Sequence, residues 1–197
     1  MRVDEFLGTL GWILCCIYAS IPVFWLMIHP FATFWRSRSR SPHRVLLPAW
    51  IGMWLIFGAF TAPARHFVLY RNRWILIPAV LLLALGFWIY IQSGKGFSWI
   101  HLSGLPEIRS DAQNQTLIIS GLHNRVRHPI YLGHLCEMLA WSLATGLFVC
   151  YMLTGFAVIT GAFMIRMEDR ELEQRFGDSY RNYRARVPAI LPRISVQ

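Results

Sequence analysis

Charge disappears from this chain in long blocks. Phe6 to His29 carries no Asp, Glu, Lys or Arg, and neither does Val45 to Ala64 or Trp74 to Ser93; Ile130 to Ile165 holds one acid, Glu137. A bilayer core is crossed by about 20 apolar helical residues. The first three blocks predict one crossing each, and the fourth, with a turn at Thr145-Gly146, predicts two. The segment 166–187 is charged yet patterned, with Met167, Leu172 and Phe176 near helical spacing and Tyr180, Tyr183 and Val187 following. It reads as an amphipathic helix leaving the fifth span and loosened around Gly177, and VPAILP (187–192) ends it with two prolines. The expected fold class is therefore an all-α integral membrane protein with five transmembrane helices, the last two a tight hairpin, and a C-terminal cytoplasmic amphipathic helix. Residues 1–197 form one membrane-embedded domain: three anchoring helices (1–93), a connector (94–129), the hairpin (130–165) and a tail (166–197). Within the connector, QTLIIS (115–120) reads as a short strand or an extended interfacial piece. Asp4 and Glu5 precede the first block where a signal peptide carries positive charge, so that block reads as a retained anchor.

Composition agrees with this picture, with 55% hydrophobic residues and nine tryptophans among 197. A net charge of +9 raises nucleic acid as a partner, but the basic residues fall on both sides of the predicted spans and argue against it. Fifteen of the 19 Lys and Arg residues lie in the 36–44 loop, the 94–129 connector and the tail; Arg2, Arg65, Arg71 and Arg73 lie opposite. The richer side is predicted cytoplasmic, with the N-terminus outside. The basic loop RSRSRSPHR (36–44) reads as an anchor for membrane lipid headgroups. Cys15, Cys16, Cys136 and Cys150 all fall inside spans without metal-ligand spacing, so they read as packing residues and no metal is expected.

Three clusters carry candidate chemistry. At RVRHPIYLG (125–133), Pro129 suits the first position of a helix, which leaves Arg127 and His128 just outside its positive end. Cations misfit there, and the combination with free first-turn N–H groups makes an anion site. Tyr131 adds a ring and a hydroxyl at the interface. The plainer reading is an ordinary basic helix end at a membrane surface. Glu137, about two turns deeper, must face protein rather than lipid, and His134 at i−3 is its nearest expected partner. Glu168 and Asp169, in RMEDRELE (166–173), leave the fifth span at the level of Arg127-His128 if the hairpin pairs. The plainer reading there is a solvated face with pairs such as Glu171–Arg175.

Taken in order, SGLHNRVRHPIYLG, a helical hairpin, and MEDRELEQRFGDSYRNYRARVPAILP resemble the isoprenylcysteine carboxyl methyltransferase family, whose wider relatives include phospholipid methyltransferases. The resemblance covers residues 115–192 through an RHPxYxG element, an acidic pair, FGxxYxxY and VPxxxP. It implies a membrane enzyme with S-adenosylmethionine as cofactor, taken up at the cytoplasmic face. It also implies cofactor contacts at Arg127, His128, Pro129, Ile130 and Tyr131, at Glu168, and at Gln115, Thr116, Leu117 and Ile118. His123, a further implied cofactor contact, stands where the family usually has tyrosine, and Asp169 where it has a second glutamate. Met164 stands where the prenylcysteine enzymes carry a substrate-contacting arginine, which leaves Arg166 as the candidate for a substrate carboxylate. The implied acceptor is hydrophobic or lipid-like: an isoprenylcysteine-type carboxylate first, then a lipid amine or small thiol. A non-catalytic scaffold or transporter on the same fold is the rival from another class.

Overall fold

The computed structural model describes residues 3–38, 41–94 and 116–192. Among the described residues seven α-helices follow one another: α1 (Val3–Leu26), α2 (Ala32–Arg36), α3 (His43–Thr61), α4 (Leu76–Gly94), α5 (Pro129–Thr145), α6 (Phe148–Phe176) and α7 (Asp178–Arg186). Short 3-10 turns join several of them. Among the described residues the only β element is an isolated antiparallel bridge, Val68–Leu147. The segment 116–119 is irregular rather than a strand.

Among the described residues four helical stretches are long and apolar enough to cross a membrane: Asp4–Arg36, His43–His66, Arg73–Gly94 and Phe148–Phe176. The sequence led to five. The difference is α5, whose 17 residues rise about 26 Å against a hydrocarbon core of about 30 Å. The outward faces of α3 and α4 carry Leu55, Phe60, Val80 and Leu81 exposed, as helices facing lipid tails do.

Small residues bring α1, α5 and α6 together. Cys15, Cys16 and Ala19 meet Met138, Val149, Cys150 and Leu153 in one buried cluster, and a Cβ on Gly11 would sit 2.6 Å from Thr145 Cγ2. All four cysteines are free and buried. Aromatic residues join α1 to α3 around Phe24, Ile28 and Leu46. Indole N–H groups inside an apolar slab need acceptors. Trp50 and Trp54 both donate to Ser20 Oγ, at 2.8 and 2.9 Å, and Trp12 donates to Thr61 Oγ1 at 2.8 Å.

The hairpin turn falls where glycine allows it. Gly146 closes α5 in the left-handed region (φ 62, ψ 14), and its N–H caps Ser142 O. A Cβ there would lie 2.5 Å from the Tyr70 carbonyl oxygen. The 67–69 loop holds this turn through Leu69 N–H to Gly146 O (2.8 Å) and Phe148 N–H to Phe67 O (3.0 Å). Helix α6 continues unbroken past Ile165 to Phe176, and Gly177 (φ 57) separates it from α7. One end of the bundle therefore collects the start of α5, the far end of α6, the end of α1 and the C-terminal segment.

Candidate functional site

Pro129 opens α5, and His128 before it lies outside the helical region at φ −120, ψ 63, the bias a following proline imposes. The C-terminal segment fixes this mouth. Arg127 N–H donates to Pro188 O at 2.8 Å and His128 N–H to Ala189 O at 2.9 Å. Helix α7 packs beneath through Tyr180, Tyr183 and Val187, against which Leu117, Leu172 and Phe176 close. The Tyr183 hydroxyl donates to the His123 carbonyl at 2.5 Å.

Two adjacent carboxylates from α6 face this mouth. Asp169 is a hub. It takes Arg127 Nη2 at 2.8 Å and Nε at 3.4 Å, His128 Nε2 at 3.1 Å and the Tyr180 hydroxyl at 2.5 Å. Arg127 spends its remaining nitrogen, Nη1, on Val187 O at 2.6 Å and Arg184 O at 3.4 Å. Its guanidinium therefore holds the tail and α6 onto the mouth of α5. Glu168 lies 3.2 Å from His128 Nδ1, so one imidazole bridges both acids. Burial alone opposes a charged imidazole here, but Glu168 and then Asp169 outweigh it and lift His128 to about 9. His123 is held below its ordinary value, by burial first and by the His128 charge second.

Tyr131 comes to the same place. Its ring stacks on His128 at 5.7 Å and its hydroxyl bonds the Glu168 carboxylate. Arg127, His128, Pro129, Ile130, Tyr131 and Glu168 thus share one locality. Ile118 and His123 wall a neighbouring cavity of about 280 Å³, closed on its other side by Trp88, Gln92 and Ser93 of α4. Thr116 is exposed and Leu117 is part of the tyrosine cluster; Gln115 lies outside the described residues. Arg166 stands apart: it is exposed, with its guanidinium 5.9 Å over the Phe163 ring. Met164 is fully buried. Glu171 and Arg175 lie 3.9 Å apart, and Arg36 adds a 2.5 Å contact to Glu171.

Two groups escaped sequence reasoning. His29, in the turn after α1, is buried with Nε2 3.9 Å from Glu168 Oε2; its place at the end of the first charge-free block, just before Pro30, was its one signal. Glu137 is paired with Tyr18 of α1, whose hydroxyl donates to Oε2, and not with His134. The His134 ring instead sits between Tyr18 and Tyr90, at 5.3 and 5.5 Å. Gly86 and Gly133 make room for this group, since a Cβ on either would press on Glu137 Cγ (2.9 Å) or Tyr90 Cε1 (2.5 Å).

Apolar helices with a buried cluster of ionisable groups at one end, around two neighbouring acids, define a membrane protein with a polar pocket at the head of its bundle. The chain belongs to the phospholipid methyltransferase family, whose model matches residues 74–179. It is 33% identical to protein-S-isoprenylcysteine O-methyltransferase of Schizosaccharomyces pombe, over 53% of the chain and 42% of that protein. It is 28% identical to methanethiol S-methyltransferase 2 of Bradyrhizobium diazoefficiens, over 81% of the chain and 50% of the relative. A Delta(14)-sterol reductase of Mus musculus is 32% identical over 70% of the chain and 37% of its own length. The chain therefore spans half or less of the length of these relatives. No solved structure matches it.

Proposed function

We propose that this chain is an integral-membrane methyltransferase that takes its methyl group from S-adenosylmethionine and passes it to a hydrophobic acceptor. The observation that carries the reading is the convergence of Tyr131, His128 and Glu168, with the Glu168 carboxylate between a stacked aromatic pair and a second imidazole. The residues fit the cofactor's groups. Glu168 Oε2 is buried, with His128 Nδ1 3.2 Å away but no aligned hydrogen bond, and its remaining acceptor capacity suits the ammonium of an amino-acid moiety. The first-turn N–H groups of α5 suit its carboxylate, and the Tyr131 ring suits a sulfonium. The cavity beside His123 approaches the size of small-ligand sites, which begin at roughly 300 Å³.

When bound, S-adenosylmethionine supplies an electrophilic methyl group. The chain's own work is to position and to exclude water. Asp169, Arg127 and Tyr180 fix the His128 ring and the register of α6 against α5, and His128 in turn orients Glu168. A carboxylate or thiolate acceptor is already a nucleophile, so positioning alone is enough. In this reading α5 is a fifth crossing, and the basic end of the bundle faces the cytoplasm. The whole chain acts as one domain, its acceptor entering from the lipid between helices.

An isoprenylcysteine-like carboxylate is one acceptor class, with exposed Arg166 as the group to meet it. Burial of Met164 at the position where an arginine holds that carboxylate favours a second reading, a lipid amine or a small thiol. Titration of the purified chain with S-adenosylhomocysteine tests the enzyme reading. Saturable binding that Glu168→Ala abolishes supports it, and absence of binding points instead to a scaffold or transporter. Labelled-donor transfer to prenylcysteines, lipid amines and thiols then separates the acceptor classes.

A further inference from the structure

The turn after α1 brings into the site a residue that no motif contains. His29 is 5% exposed, and its ring stacks on Trp25 at 5.1 Å with 17° between planes. Stacking fixes the plane of the imidazole, so its nitrogens point where the backbone sends them. Among the described residues neither ring nitrogen has a hydrogen-bond partner. Glu168 Oε2 lies 3.9 Å from Nε2; that oxygen has His128 Nδ1 3.2 Å away but out of line for a hydrogen bond, and it keeps acceptor capacity for a further donor. Buried polar atoms left unpaired are rare in folded proteins. An unpaired imidazole facing that oxygen, 139 positions away in sequence (29 and 168), is what a shared ligand atom explains.

The ligand chemistry follows from the donor and acceptor count. A carboxylate offers only acceptors, and a neutral imidazole offers one acceptor and one donor. Two acceptors this close suit a single donor nitrogen at about 2.9 Å from each, a distance typical of N–H···O and N–H···N bonds. A primary ammonium has three hydrogens and satisfies both at once. Resting on the methyl-donor reading above, we propose that His29 is a cofactor-binding residue supplied by the first helix, and that it and Glu168 Oε2 jointly hold the ammonium of the donor's amino-acid moiety. The N-terminal helices are then a wall of the site and not only an anchor. His29 also helps to discriminate a nucleoside that bears an amino-acid tail from one that lacks it.

The test is calorimetric titration of the full chain in detergent with two ligands, S-adenosylhomocysteine and 5′-methylthioadenosine, which lacks the amino-acid part. His29→Phe keeps an aromatic ring on Trp25 and removes both nitrogens; His29→Gln keeps an acceptor. His29→Phe should weaken S-adenosylhomocysteine roughly tenfold, as expected for one hydrogen bond to a charged group, and leave methylthioadenosine within about twofold of wild type. His29→Gln should recover part of the loss. Wild-type affinity for S-adenosylhomocysteine in His29→Phe overturns the inference, and so does an equal loss for both ligands, which marks a structural role. A wild-type chain that binds neither ligand overturns the methyl-donor reading and this inference with it.

Discussion

Replacing Asp169 by alanine removes the acceptor on which three side chains converge. The residue is 3% exposed, and its oxygens take Arg127 (2.8 and 3.4 Å), His128 (3.1 Å) and Tyr180 (2.5 Å). The arginine and histidine side chains are only 9% and 3% exposed. Alanine therefore strands cations that cannot turn to water, and breaking a buried pair in this way costs about 3–5 kcal/mol. At about 2–4 °C per kcal/mol for a chain of this size, the unfolding midpoint should fall by roughly 6–20 °C. Tyr180→Phe removes one hydrogen bond to a charged acceptor and should cost about 1.5–3 kcal/mol, a smaller drop. The protein carries its own reporter. Cys15, Cys16, Cys136 and Cys150 are free and buried, so a thiol-reactive fluorophore in detergent reads the transition directly. An Asp169→Ala midpoint within a degree or two of wild type would refute the hub, and so would a Tyr180→Phe loss larger than that of Asp169→Ala.

The His128 value gives a second expectation. Its pKa is raised to about 9 from 6.5, so its contribution is present in full below the unfolded value, declines as pH rises and is gone above about 9; at 1.36 kcal/mol per unit this is about 3 kcal/mol. Melting between pH 6.5 and 10 should show an alkaline loss that His128→Gln flattens. Gly146→Ala places a Cβ in the left-handed region, at a cost of about 1–2 kcal/mol, and 2.5 Å from the Tyr70 carbonyl oxygen. The same assay should show a clear drop, whereas Gly155→Ala, with nothing within 4 Å of its Cβ, should be neutral or slightly stabilising.

What could be read from sequence followed the range of the interaction. The apolar blocks announced their helices because each helix satisfies its own backbone, and Gly146 and Gly177 marked the breaks because those positions need positive φ. Pro129 located the start of α5 for an equally local reason. The meeting of Tyr131 with Glu168 was foreseen through the hairpin and the family motifs, since the turn at Gly146 returns α6 to the level of the α5 mouth. Partners supplied by α1 were beyond reach. Tyr18 on Glu137 and His29 beside Glu168 depend on how α1 packs, and the partner of neither is encoded in its own neighbourhood. Arg127 was read as a ligand for an anion; the structure shows its donors engaged by Asp169 and by carbonyls of a segment read only as a helix stop.

That segment has a consequence for biogenesis. The carbonyls that latch Arg127 and His128 belong to residues translated some sixty positions later. Until that segment has been made, the mouth of α5 lacks both latches. Insertion and maturation of the pocket are therefore separate events, and the second waits for the last turn of α7 and the residues just after it to fold back. A chain cut between α6 and residue 188 would keep its apolar helices but lose the carbonyls that latch Arg127 and His128.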